Sequence, residues 1–410
     1  MKLAKSLLLG SVAGFAAVAG AQAADLPVAK AAPVEYVRVC STYGAGFFYI
    51  PGTETCLRVG GRVRADYIYV EPSDRADDAI GFRARGRIQL DARTATAYGL
   101  LRTFVRFEIT RNTGAFNSVP GIVTTSPDVD QAFVQFGGLT AGRAQTFFDN
   151  GDIDSQAFGT LRWSDQPNVN MLAYTFTFGN GFAATLSLEE GRFTDRFPLA
   201  GTIPGEGAGF VAGQRAPDVV GNLTYTGTWG SATVAGALHQ LRGMPILATV
   251  GGVLTTVTPD TEYGFAVTGQ LNLELPMLAP GDALWIAATY ANGAPGYVGY
   301  GDGEGVADAG YDVNGNIDKT RAWSVAGGLR HYWTPEIRQN LFGSYARVEL
   351  GAGIPGSDFT EWRAGSNVIW SPVAGLDLGV EVLYANVNPR APGERTSDAW
   401  EGRLRVQRDF

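Results

Sequence analysis

The residues most able to do chemistry in this chain are arginines spaced at even intervals. Arg58, Arg62 and Arg64, then Arg83, Arg85, Arg87 and Arg93, then Arg102 and Arg106, alternate in phase with Val59 and Val63, Phe82 and Ile88, Val105 and Phe107. In extended backbone, side chains of like parity share a face, so guanidinium groups line one side and apolar groups the other. Further on, Asp149, Asp152 and Asp154 stand in a stretch too long and too acidic for a mere connection. A ladder of fixed cations opposite fixed carboxylates would set a transverse field, and walls of charge are how an aqueous passage sorts ions. The same arginines could pair with Asp66, Asp91 and Glu108 as structural bridges. The two uses are compatible. Net acidity suggests a weak preference for cations, while the local arginines pull the other way.

Other chemistry finds less support. The only histidines are His239 and His331, and neither lies in a recognisable catalytic motif, so an enzyme is the lesser alternative. Residues 312–318 (DVNGNID) space oxygen ligands like the start of a calcium loop. Glycine is absent from the sixth position, however, and Trp323 rather than glutamate stands at the twelfth, so a solvated loop is the plainer reading. No cofactor and no metal are expected. Cys40 and Cys56 are the only cysteines, and in an exported chain a disulfide between them is the economical reading.

Export is written at the start. Lys2 and Lys5 precede an uncharged run over 6–20, and Ala21-Gln22-Ala23 supplies a small-residue cleavage pattern, so residues 1–23 read as a signal peptide. Its removal takes away two lysines and no acid, shifting the net charge from −8 to −10, which argues against a nucleic-acid partner. Residues 24–56 form a periplasmic lead-in containing the cysteine loop. Residues 57–410 remain as one domain without an internal linker.

The elements that must position the charges are strands. Alternation and turn residues predict sixteen: 57–70, 80–93, 100–111, 128–137, 139–146, 170–178, 182–190, 217–226, 231–242, 262–275, 283–291, 321–332, 337–350, 360–370, 376–388 and 398–410. Short turns such as Gly137-Gly138 and Gly179-Asn180-Gly181 follow even strands, and long loops such as 191–216, 243–261 and 292–320 follow mainly odd ones. A soluble sandwich has no reason to sort its loops in this way, whereas a transmembrane barrel has short turns at one rim and long loops at the other. Within strands, Tyr263, Phe265, Val267, Leu271 and Leu273 oppose Glu262, Thr268, Gln270 and Asn272, as expected with lipid outside and water inside. Tyr67, Tyr69, Tyr290, Trp333, Trp362, Trp370, Trp400 and Phe410 cluster near strand ends, where interfacial girdles belong. The uncharged run 244–259 is too short for a membrane helix and reads as strand extensions turning at Gly251-Gly252.

Three segments carry a resemblance: VEYVRVCSTYGAGFFYIPGTETCLRVGGRVRADY, AFVQFGGLTAGRAQTFFD and the terminal AWEGRLRVQRDF together resemble the alphaproteobacterial general porins over essentially the whole mature chain. The resemblance implies an all-β fold, a transmembrane antiparallel β-barrel of sixteen strands with an inward-folded third loop. It further implies a homotrimer in outer-membrane lipid passing small hydrophilic solutes and ions, and a terminal Phe410 read by the barrel-assembly machinery. An outer-membrane barrel enzyme, or an adhesin or receptor scaffold resting on the exposed loops, is the alternative.

Overall fold

The computed structural model describes residues 38–117, 119–191, 212–300 and 306–410. The expected signal peptide lies outside them. Among the described residues, one antiparallel sheet closes on itself through sixteen strands. They are β1 (Cys56–Val70), β2 (Ile80–Thr96), β3 (Gly99–Gly114), β4 (Val123–Phe136), β5 (Leu139–Gln145), β6 (Asn168–Gly179), β7 (Phe182–Glu189) and β8 (Asp218–Gly227). The second half is β9 (Gly230–Leu241), β10 (Glu262–Glu274), β11 (Ala283–Asn292), β12 (Arg321–Thr334), β13 (Ile337–Glu349), β14 (Phe359–Val373), β15 (Leu376–Pro389) and β16 (Ser397–Asp409). Closure comes from β1 against β16, in register from Arg62 with Asp409 to Val70 with Glu401. Gly61 and Phe410 exchange backbone hydrogen bonds at 2.9 and 3.0 Å to finish the seam.

Every expected strand is present, and most boundaries move by only a few residues. The largest difference is at β4, which begins at Val123 rather than 128. Pro127 and the run of Thr and Ser conceal its first half. That half tolerates a proline because β5 pairs with β4 only over Ala132–Phe136, leaving the stretch above as an edge. Turns at the short-loop rim use residues that accept positive φ, with Gly137 at 59° and Asn180 at 51°.

The two faces meet different surroundings. Outward side chains such as Val59, Val63, Phe82, Ile88, Val267 and Val382 are exposed hydrophobics, as a lipid-facing wall requires. The inward face divides into two kinds of wall. On β9–β13 it is dominated by buried alanines, including Ala235, Ala237, Ala266, Ala291, Ala322 and Ala346. On β1–β3 and β16 it carries the arginines. Small side chains leave space, and the space is filled: Phe148 from the loop after β5, and Tyr297, Val298 and Tyr300 from the loop after β11, pack against those alanines. Below them, Ile153, Leu161 and Trp163 pack against Trp285, Ala287, Ala326 and Phe342.

Candidate functional site

The loop after β5, residues 146–167 (L3), holds the candidate acidic residues. Its bonds reach widely separated strands. The Asn150 backbone N–H donates to Gln270 of β10 at 2.8 Å, and its side-chain amide donates to Ser231 of β9 at 3.0 Å. The backbone N–H groups of Phe158 and Gly159 donate to Glu381 of β15 at 2.6 and 2.7 Å, and Arg403 of β16 donates to the Phe158 carbonyl. Arg162 is buried against Glu361 of β14 at 2.9 Å, and its backbone N–H donates to Ser344 of β13.

The loop after β11, residues 293–320 (L6), continues this network. Arg162 donates to the Gly299 carbonyl at 2.9 Å, its guanidinium lies 4.4 Å from the Tyr300 ring centroid, and the Tyr300 hydroxyl donates to Glu361 at 2.8 Å. Gly299 has φ of 90°, and a Cβ there would stand 2.5 Å from the Trp163 carbonyl oxygen, so the two loops touch backbone to backbone. Burial removes Tyr300 from water, and Glu361 beside it adds negative charge. Both hold its hydroxyl protonated, well above the usual phenol range. L6 thus braces L3, a role that reading it as an outer loop misses. The available signals were its aromatic, uncharged start (APGYVGY) and the alanines facing it.

Most of the candidate arginines have a definite partner set. Arg62 pairs with Asp409 and Arg64 donates to Gln407. Arg83 donates to Asn112, Arg85 to Thr110 with Glu108 at 3.4 Å, and Arg87 pairs with Glu108 and more loosely with Asp130. Arg93 and Arg102 share Asp91, Arg106 reaches Asp130 at 3.2 Å, and Asp66 is taken by Arg405. Structural bridging is therefore widespread, yet the guanidinium groups outnumber their acids. One cavity of about 400 Å³ is lined by Arg58, Arg93, Arg102 and Arg106 with Asp91. A second, of about 390 Å³, is lined by Arg62, Arg64, Arg338 and Arg405 with Asp154, Asp377 and Asp409.

The three candidate acids of L3 part company. Asp149 is buried, accepting from the Gln166 backbone and from Gln270. Asp152 is exposed. Asp154, also exposed, contacts Arg330 at 3.3 Å and shares the second cavity with Arg62 and Arg64. Cys40 and Cys56 form a disulfide beside buried Phe47, over which the Arg93 guanidinium lies at 4.9 Å. The histidines are held as structural groups. His239 Nδ1 is 2.7 Å from Asp218 and its Nε2 3.4 Å from Asp308 of L6, while His331 Nδ1 is 2.6 Å from Asp282. Residues 312–316 cap a small hairpin, Asp312 accepting from the backbone of Asn314 and Asn316, so its carboxylate serves the turn.

A family model described as "Porin subfamily" matches residues 25–402. The chain belongs to the porin family. Porin Omp2b of Brucella suis is 33% identical over 430 residues, covering 99% of each chain. Among solved structures, the outer membrane channel DcaP of Acinetobacter baumannii matches with a TM-score of 0.66 at 16% identity, over 88% of this chain and 99% of that one. OmpT of Vibrio cholerae in its trimer form matches at 0.52 and 10% identity, over 87% of this chain and all of the other. This porin is an outer-membrane channel protein, and its relatives are named as porins rather than as enzymes.

Proposed function

We propose that this porin works as a homotrimer admitting small hydrophilic solutes and ions by passive diffusion, with L3 folded into the lumen and the free path running along the arginine wall. The observation carrying this is the reach of L3. A segment that leaves β5 and bonds inward-facing groups on β9, β10, β14 and β15 has to cross the barrel interior. With the alanine wall occupied by L3 and L6, the remaining bore is bounded by Arg58, Arg62, Arg64, Arg83, Arg85, Arg87, Arg102 and Arg106 on one side and Asp154 on the other. The trimer follows the family resemblance and the trimeric form of the Vibrio neighbour. Phe410, 69% exposed at the barrel seam, is proposed as the residue read by the assembly machinery, and the exposed apolar wall as the lipid contact.

The sign of the local charge favours anions over the cation preference suggested by net acidity. The two lumenal cavities are lined by eight arginines against four aspartates. For an ion passing about 7 Å away in a water-like medium, each charge contributes about 0.6 kcal/mol, roughly halved by 0.1 M salt. Neutralising Arg83, Arg85 and Arg87 to glutamine acts with opposite sign on the two ions and therefore changes the anion-to-cation permeability ratio by roughly twentyfold. Reversal potential in a planar bilayer under a salt gradient reads this directly. A value unchanged by the triple substitution would sink the charged-wall reading.

A further inference from the structure

The two lumenal cavities differ in their charge balance. In the second, Arg62 pairs with Asp409 and Arg338 with Asp377, and with Asp154 the lining sets three aspartates against four arginines. In the first, of about 400 Å³, four arginines face the single lining carboxylate of Asp91. Arg93 and Arg102 each donate two N–H groups to it, and Asp130, which reaches Arg106 from beyond the lining, is shared with Arg87. Among the described residues Arg58 has no acceptor. The surplus of positive charge suits a dianion.

The guanidinium groups of the first cavity are held in place by rings. Arg102, Phe104 and Arg106 alternate onto the inner face of β3, and both guanidinium groups lie over the Phe104 ring, 5.1 and 5.2 Å from its centroid. Phe133 of β4 stacks on that ring with centroids 5.3 Å apart. At the short-turn rim the lead-in loop holds the other two arginines. The Phe47 and Tyr43 rings lie 4.9 and 5.8 Å from the Arg93 guanidinium, and Gly46 runs along the Arg58 side chain, which a Cβ there would meet at 3.8 Å. Side chains fixed in this way lose less freedom on binding.

The rest of the lining is rich in amides. Gln89, Gln131, Gln135 and Gln145 border the cavity together with Thr140. Gln89 and Gln135 accept from Arg106 and Arg102 at 3.2 and 3.1 Å, while the Gln131 amide donates to Asn168 and leaves its carbonyl oxygen open. Gln145 Nε2 is buried without a hydrogen-bond partner among the described residues, a donor that calls for an acceptor. Hydroxyl groups, which both donate and accept, match such a set.

From these we infer that the first cavity binds the phosphate monoester of a sugar, with the phosphate among Arg58, Arg93, Arg102 and Arg106 and the hydroxyls on the glutamines. This rests on the passive-diffusion reading above and names a solute class for it. A phosphate monoester carries a charge of about −1.5 to −2 near pH 7, and the volume falls within the range of about 300–1,000 Å³ usual for small-molecule sites. Inorganic phosphate would leave the amides unanswered. A flat aromatic acid would need an open ring face, and Phe104 is 6% exposed, covered by Phe133 and the two guanidinium groups. The site lies between the short-turn rim and the start of L3, whose Phe147 borders it, and its lining does not include Arg83, Arg85 or Arg87.

The test is single-channel recording of the protein extracted from outer membranes, at fixed salt, with glucose-6-phosphate, glucose or inorganic phosphate added in turn. Glucose-6-phosphate is expected to interrupt the current with blocks about tenfold longer than those from either half alone. Arg58→Gln, which breaks no native pair, should shorten these blocks about tenfold, and Gln145→Met, which changes no charge, about threefold. Arg64→Gln in the second cavity removes the same charge from the lumen and should shorten them by less than about twofold. Equal shortening by Arg58→Gln and Arg64→Gln would overturn the site, because general lumenal charge would then suffice. Glucose-6-phosphate blocks no longer than those of inorganic phosphate would overturn it too. In both cases an intact ion current leaves the diffusion reading standing, whereas a bilayer that carries no current removes both.

Discussion

Glu361→Gln is the most direct test of L3 as part of a rigid lumenal structure. Glu361 is 1% exposed and accepts from Arg162, which is 3% exposed, and from the Tyr300 hydroxyl, and it also pairs with Arg363. The substitution leaves a buried guanidinium facing a neutral amide, and breaking one side of a buried pair costs about 3–5 kcal/mol. Other bonds, from Glu381 to Phe158 and Gly159 and from Gln270 to Asn150, keep L3 attached at its remaining points. The cost is therefore borne locally, multiplying the undocked population of the Arg162 segment by roughly a hundredfold or more. Single-channel recording is expected to show new excursions to a larger conductance, with a lower midpoint of heat denaturation. Glu349→Gln is the control, since the Arg347–Glu349 pair is 37% and 38% exposed and such pairs contribute at most about 1 kcal/mol. If the two variants give the same midpoint and the same current record, the anchoring argument fails.

Two further outcomes follow from the ends of the structure. In the L6 hairpin, burial alone would raise the Asp312 carboxyl. The Asn316 side-chain amide and the backbone N–H groups of Asn316, Asn314 and Gly315 outweigh it and hold the group below the usual carboxylate range. Its contribution is thus present above the unfolded-state value, near pH 4, and lost as pH falls through the lower folded one. Amide exchange at Asn314 and Asn316 should accelerate across that window in the native protein and show no such step in Asp312→Asn. At the other end, Phe410→Ala should slow the appearance of heat-modifiable barrels in pulse-chase, and wild-type assembly kinetics would remove the terminal ring as a recognition element.

How much of this was readable in the residues depends on how many constraints act on each. Strands were legible because two solvents act on alternate side chains: Val267 and Leu271 face lipid while Thr268 and Gln270 face the interior, and a slip by one residue would reverse all of them. The upper half of β4 was not, since it lacks a neighbour on one side and its Thr, Ser and Pro carry no alternation to read. The site divided in the same way. The arginines on β1–β3 were placed by parity alone, and the acids of L3 were not, because a loop has no period. Asp149 turns into the packed interior and Asp154 out to the cavity for reasons that lie in Gln270 and Arg330, far away in the chain.

The role of L6 shows where local reading ends and packing begins. The aromatic, uncharged start of 293–320 is a signal of burial, but it does not by itself say what the loop packs against. Paired with alternate alanines on β9, β10, β12 and β13, however, its Tyr297, Val298 and Tyr300 have small side chains to pack against and are buried there. Small residues on one lumenal wall and arginines on the other are two halves of one arrangement. Had the alanines been arginines as well, repulsion and volume would have kept both loops out, and the sixteen strands would enclose a wide, unsorted hole. Had the arginines been alanines, the loops would have had no preferred side on which to settle. On the function proposed above, the asymmetry of the wall sets where the loops pack, and the loops in turn leave open the strip of wall that carries charge.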